Sequence, residues 1–135
     1  MIQLIYVSTA ARRINKDDLQ AILLASIHHN SIKKITGLLL YDQGTFCQVL
    51  EGQAEDVYAL FSKIQEDDRH TNIIKIFDDE IMVRDFSSWS MNCINLDDYD
   101  KKQINGYKDY SESLKNWNFI NPLMVKDVLM HFKTR

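Results

Sequence analysis

The chain has 135 residues, of which 45% are hydrophobic and 26% charged, with a formal net charge of −3. That length makes one domain with a core of its own, and the slight negative charge gives no attraction to nucleic acid or to an anionic membrane. No apolar run approaches a membrane span, the N-terminus lacks a signal-peptide profile, and the two cysteines lack C-x-x-C spacing, so the expectation is a cytoplasmic protein with reduced, buried thiols.

Ile2 to Ser8 reads as a strand, with Leu4, Tyr6 and Ser8 on one face and Gln3, Ile5 and Val7 on the other. Thr9 to Lys16 is a polar connection. Asn15 is a plausible N-cap for a helix with Asp17 and Asp18 in its first turn and Leu19, Ile22, Leu23 and Ile27 at helical spacing. Ser26 and Asn30 lie one turn apart and Ile22 one turn before them. The buried edge of this helix thus lines up an apolar residue, a hydroxyl and an amide, where an ordinary core helix places aliphatic groups.

Ile35 to Gly52 forms two apolar runs split by Asp42-Gln43-Gly44, a hairpin signal. Phe46, Gln48 and Leu50 share one face of the second run, and Cys47 and Val49 the other. Both faces are apolar enough to need cover. Gln48 is therefore an amide in a buried strand, and its oxygen and NH2 need partners. A second amphipathic helix follows from about Ala54 to Asp67, with Val57, Leu60, Phe61 and Ile64 as its inner stripe, and Asp67-Asp68-Arg69-His70 ends it. Ile73 to Phe77 reads as a fourth strand. After Phe86, Ser87 to Ile94 reads as a fifth, with Trp89 and Met91 on one face.

The resulting order, β-α-β-β-α-β-β, is an α+β, ferredoxin-like plan with one added strand and two helices on one sheet face. The other face needs its own cover. Ile104, Tyr107, Ser111 and Leu114 keep helical spacing, Asn121-Pro122 looks like an N-cap and N1 pair, and Val125, Val128, Leu129 and Phe132 form a last amphipathic stripe. This C-terminal helical extension, 96–135, is assigned to the second face of a domain spanning 1–95.

Combining the faces places Tyr6, Phe46 and Gln48 opposite Ser26 and Asn30, between aliphatic walls from Ile22 and Ile64. Trp89 and Met91 join them. A flat, largely apolar ligand edged by carbonyl and NH groups suits such a slot. So does a core whose few polar atoms satisfy one another, and the spacing leaves both readings open. Weaker signals have bland readings. His28 and His29 point about 100° apart on a helix and do not make a metal pair, and no other metal site is legible. Cys47 and Cys93 are small buried hydrophobes. Arg69-His70 complements a helix dipole or binds a phosphate beyond the slot. Asp97, Asp98 and Asp100 are a solvated helix start. No nucleotide-binding, hydrolase-elbow or metalloprotease motif appears.

Several blocks together resemble the BLUF (blue light using flavin) photoreceptors. They are Tyr6, Asn30, Ile35-Thr36-Gly37-Leu38-Leu39, Phe46-Cys47-Gln48-Val49-Leu50-Glu51-Gly52, Asp68-Arg69-His70 and Trp89-Ser90-Met91, spanning about Met1 to Ile94 in register. The tail from Asn95 is similar to the short helical extension of the family's effector-less members. The resemblance implies FAD held non-covalently between the two helices, with FMN or riboflavin able to substitute. It implies that Tyr6 is the redox-active tyrosine, giving an electron and a proton to the excited flavin, and Gln48 the switching glutamine. Asn30 would hold the C4=O and N3 edge with Ser26 or His29 nearby. Ile22 and Ile64 would sandwich the ring, and Met91 and Trp89 would exchange places near Gln48. Arg69 and Lys63 would lie toward the ribityl-phosphate tail. A non-enzymatic sensor follows, signalling to a downstream protein, with a homo-oligomer as an option. The alternatives are a chromophore-free regulatory or ligand-binding module on the same fold, and an acylphosphatase-type enzyme. The last lacks a glycine-rich anion loop beside Arg12 and Arg13.

Overall fold

Apolar side chains at every second position make a strand that buries at least one face, and the runs with that pattern are the strands of the protein. The computed structural model describes residues 1–11, 17–18, 21, 34–86 and 127–129, together with the backbone of 92–95. Its strands are β1 (Ile2–Ala10), β2 (Thr36–Asp42), β3 (Thr45–Gly52), β4 (His70–Glu80) and β5 (Asn92–Asn95), with a helix at Ala54–Glu66. They form a five-stranded sheet in the order β4-β1-β3-β2-β5. β1 is antiparallel to β3 and β4, β2 is antiparallel to β3, and β5 runs parallel to β2. This is the expected ferredoxin-like sheet with an added strand.

β2 and β3 are joined by the two residues Gln43 and Gly44, with φ of 46° and 85°. Left-handed backbone at both positions is the hairpin turn whose twist matches the flanking strands. The Gly44 carbonyl accepts from the Ala10 N–H at 2.8 Å, tying the turn to the end of β1.

β4 is longer than the Ile73–Phe77 expected from its apolar residues. Its backbone pairing with β1 runs from Ala10↔His70 to Ile2↔Glu80, through polar Thr71 and Asn72 and on through Asp78 to Glu80. Alternation marks only the part of a strand with a buried face, whereas the ladder continues wherever β1 offers partners. The helix stops at Glu66, and Asp67 caps it rather than extending it. β5 begins at Asn92, and the earlier part of the expected fifth strand, 87–91, lies outside the described residues.

The alternation on β1 and β3 divides the core in two. Leu4, Tyr6, Leu39, Phe46 and Leu50 pack beneath Val57, Leu60 and Phe61 of the helix. Ile5, Val7, Leu38, Leu40, Cys47 and Val49 pack on the opposite face with Phe86, Val128 and Leu129. Val128 and Leu129 are helical and fully buried there. Asp17, Asp18 and Ala21 are helical too. The rest of the first expected helix and of the C-terminal segment lies outside the described residues.

Candidate functional site

Tyr6 of β1 stands directly across from Gln48 of β3. The register puts both on the face beneath the helix, each 2% exposed. The Tyr6 hydroxyl donates to Gln48 Oε1 at 2.5 Å. Burial pushes the phenol well above its ordinary titration range, with smaller contributions from Cys47 and Asp67. Tyr6 therefore keeps its proton and remains a donor. Cys47, on the opposite face, is also pushed far up by burial, which leaves it an inert thiol.

The pairing of β1 with β4 slips between Ile5 and Tyr6 and again between Val7 and Thr9, β4 carrying an extra residue each time. Asn72, in the second irregularity, has φ of 51°. Bulges bend a strand and re-aim its side chains, and these two bracket Tyr6. Its ring tilts against Phe61 with centroids 5.4 Å apart, and meets His70 edge-on at 6.2 Å. Phe46 meets the same His70 ring edge-on at 5.9 Å.

Both nitrogens of His70 are engaged. Nε2 lies 2.7 Å from the Ile64 carbonyl oxygen and Nδ1 2.9 Å from the Ser8 hydroxyl. The expected helix-end role is thus present, and the ring also reaches into β1. The Ile64 side chain is partly buried against the Tyr6 cluster. Lys63 is exposed on the last helical turn. Arg69 Nε lies 3.2 Å from Asp67 Oδ1, an oxygen that also accepts from the Arg69 N–H at 2.9 Å. Of the residues singled out from sequence, Tyr6, Phe46, Gln48 and Ile64 come together, while Lys63 and Arg69 sit at the helix terminus beside them. Ile22, Ser26, His29, Asn30, Trp89 and Met91 lie outside the described residues.

A second polar group, absent from the sequence reading, occupies the opposite face. Glu51 is fully buried. Its Oε2 accepts from Gln3 Nε2 and from the Asp85 N–H, each at 2.8 Å. Its Oε1 accepts from the Phe86 N–H at 2.8 Å and from Thr36 Oγ1 at 3.3 Å. Arg84 Nη1 donates to Thr36 Oγ1 and to the Glu51 carbonyl, both at 2.9 Å. This carboxylate anchors the turn that leads toward β5. Its signal was available: Gln3 and Glu51 interrupt the apolar face of two paired strands directly opposite each other.

Among the described residues no cluster of His, Cys, Asp and Glu could hold a metal ion, and no helix is long and apolar enough to cross a membrane.

A family model, BLUF, described as sensors of blue-light using FAD, matches residues 1–92. The β subunit of the photoactivated adenylate cyclase of Euglena longa is 36% identical over 89 residues, which is 65% of this chain and 10% of that protein. The chain thus spans about a tenth of the length of such curated relatives. A bacterial light-regulated adenylyl cyclase superposes with a TM-score of 0.79 at 37% identity, over 87% of this chain and 35% of that one. The photo-activated state of BlsA superposes with a TM-score of 0.82 at 30% identity, over 99% of this chain and 95% of that one.

Proposed function

Since the chain belongs to the BLUF family, the sensors of blue light using FAD, we propose that it binds FAD without a covalent bond in the slot beneath the helix and signals light to a downstream protein. The observation that carries this reading is the buried Tyr6–Gln48 hydrogen bond. The residues around it fit a flavin. Ile64 and Phe46 offer apolar walls, and the Gln48 amide offers a donor and an acceptor to the polar edge of a planar ring. Ile22, Ser26, His29 and Asn30 of the preceding segment are read as the opposite wall and the polar clamp. Lys63 and Arg69 are read as neighbours of the phosphate tail, and Trp89 and Met91 as neighbours of Gln48.

Bound flavin supplies blue absorption and an excited state that draws on a nearby donor. The remaining work falls to the protein. Tyr6 holds an ionisable but unionised O–H, and burial keeps it so. Gln48 Oε1 takes that hydrogen bond, which orients the amide. Turning the amide by half a turn exchanges its oxygen and NH2, reversing what it offers to Tyr6 and to every group on its other side. That reversal costs no change of volume, so it suits a switch inside a packed core. The chain itself acts as a sensor, and the cyclase named in the relatives is read as the work of the length that this chain does not match.

The test is an absorption spectrum of the purified protein before and after blue light. A yellow protein with a reversible red shift, abolished by Tyr6→Phe and by Gln48→Leu with flavin retained, is the expected result. A colourless preparation would point to a chromophore-free module, and an undiminished shift in Gln48→Leu would refute the role given to the amide.

A further inference from the structure

We propose that His70 is a positioning residue for the photoreaction, a strut that fixes the distance between Tyr6 and the Ile64 wall of the slot; this rests on the reading of Tyr6 and Gln48 as the light switch. A carbonyl oxygen only accepts, so the contact with Ile64 O requires the proton on Nε2. In the neutral ring Nδ1 is then an acceptor, and the buried Ser8 hydroxyl donates to it. One imidazole thus gives a second donor to the Ile64 carbonyl, which also accepts from the Asp67 N–H at 3.1 Å, and takes the hydrogen bond of a buried hydroxyl on β1. A residue that served only as a helix cap would need the donor alone.

Ser8 lies two residues after Tyr6 on the same face, and the imidazole edge rests on the Tyr6 ring itself. The backbone holds the base of the strut, since the Ala11 N–H donates to the Arg69 carbonyl at 3.0 Å. The helix terminus, the photoactive tyrosine and the strand carrying Phe46 therefore all bear on one ring of fixed tautomer. The neighbouring Asp67 and Arg69 pair with each other. If the ring is lost, the Ile64 carbonyl keeps only the Asp67 N–H, the tie from the helix end to β1 through Ser8 is gone, and the wall can move relative to Tyr6. A misplacement of about 1 Å can cost about a hundredfold in a reaction between positioned groups.

Two measurements on the flavin-loaded protein test this. In the dark, imidazole 15N NMR should show His70 holding a proton on Nε2. The other tautomer, or averaging typical of a solvated ring, would overturn the strut. Under illumination, the quantum yield of the red-shifted state per bound flavin should separate two variants. His70→Gln restores one donor and one acceptor and should stay within about twofold of wild type. His70→Phe keeps an aromatic ring but neither polar atom, and should lose roughly tenfold or more. A His70→Phe protein that equals wild type would show that ring shape alone matters, and equal losses in both variants would show that the two polar contacts do not carry the effect; either would overturn the inference. Wild type with no red shift at all defeats the light-switch reading first and the strut with it. The wild-type spectrum tells the two failures apart.

Discussion

Replacing Glu51 is the sharpest test of the second polar group. Its two oxygens take four hydrogen bonds, two of them from the backbone N–H groups of Asp85 and Phe86. Phe86 is fully buried, so its N–H has no recourse to water. In Glu51→Gln one oxygen becomes an NH2, and whichever way the amide turns, one backbone donor faces another donor. An orphaned buried donor costs about 1–3 kcal/mol. Glu51→Ala orphans both and opens a cavity, for a total of about 3–5 kcal/mol. Set against a domain stability of about 5–15 kcal/mol, the glutamine variant should fold and the alanine variant should be marginal. In urea, a loss of about 2 kcal/mol with an m-value of about 2 kcal/mol/M lowers the midpoint by about 1 M. Hydrogen exchange locates the effect, because the amides of Asp85 and Phe86 should lose protection roughly thirtyfold while those of central β1 change little. Arg84 binds the Glu51 carbonyl rather than its side chain, so that contact survives and the experiment isolates the carboxylate. A Glu51→Gln protein with the wild-type midpoint and both amides fully protected would refute the assignment.

Three further outcomes are expected. Burial raises the folded pKa of both Cys47 and Tyr6 above their ordinary values of 9.0 and 10.0; above those values the unfolded chain releases protons that the folded one keeps, so stability is whole below them and falls with rising pH by about 1.4 kcal/mol per pH unit per group. Urea midpoints compared near about pH 8 and about pH 10.5 should show the decline, with a later onset in Cys47→Ala, and a flat profile would contradict it. Gly44→Ala should cost about 1–2 kcal/mol despite open space at its Cβ, because φ is 85°, whereas Gln43→Asn should gain about 0.5 kcal/mol at a position with φ of 46°; denaturation curves of opposite displacement check the pair. Asn30→Ala should weaken flavin retention roughly five- to a hundredfold, measured by equilibrium release, while sparing the red shift of the flavin that remains.

Where local chemistry decides, the sequence was readable. Asp42-Gln43-Gly44 marked the hairpin, and period-two alternation sorted Tyr6 and Gln48 to one face and Cys47 and Val49 to the other. Val57, Leu60 and Phe61 marked the buried stripe of the helix. What escaped depends on partners distant in the chain. β4 borrows its ends from β1, so polar Thr71 and Asp79 pair in a ladder that no local pattern announces. His70 looks like any helix-terminal cation until β1 brings Ser8 beneath it. Glu51 reads as a strand-end charge until its neighbours turn out to be Gln3 across the sheet and two amides some 34 residues further on. A buried carboxylate is legible only with its donors in view.

The slips that bracket Tyr6 bear on how the molecule behaves in a crowd. Among the described residues β4 is the outermost strand on its side of the sheet, with outer N–H and C=O groups that pair with no described strand. A flat edge of eleven residues would be a template on which another chain could add a strand, the first step of edge-to-edge aggregation. Two extra residues in its register with β1 twist that edge away from flatness. Lys75, Asp79 and Glu80 are exposed along it, so an incoming strand meets charge as well as curvature. The irregularity beside the tyrosine therefore also works against growth of the sheet at this edge. Straightening β4 by deleting Asn72 would put solubility at risk together with the site, and a gain in light-independent association would be its signature.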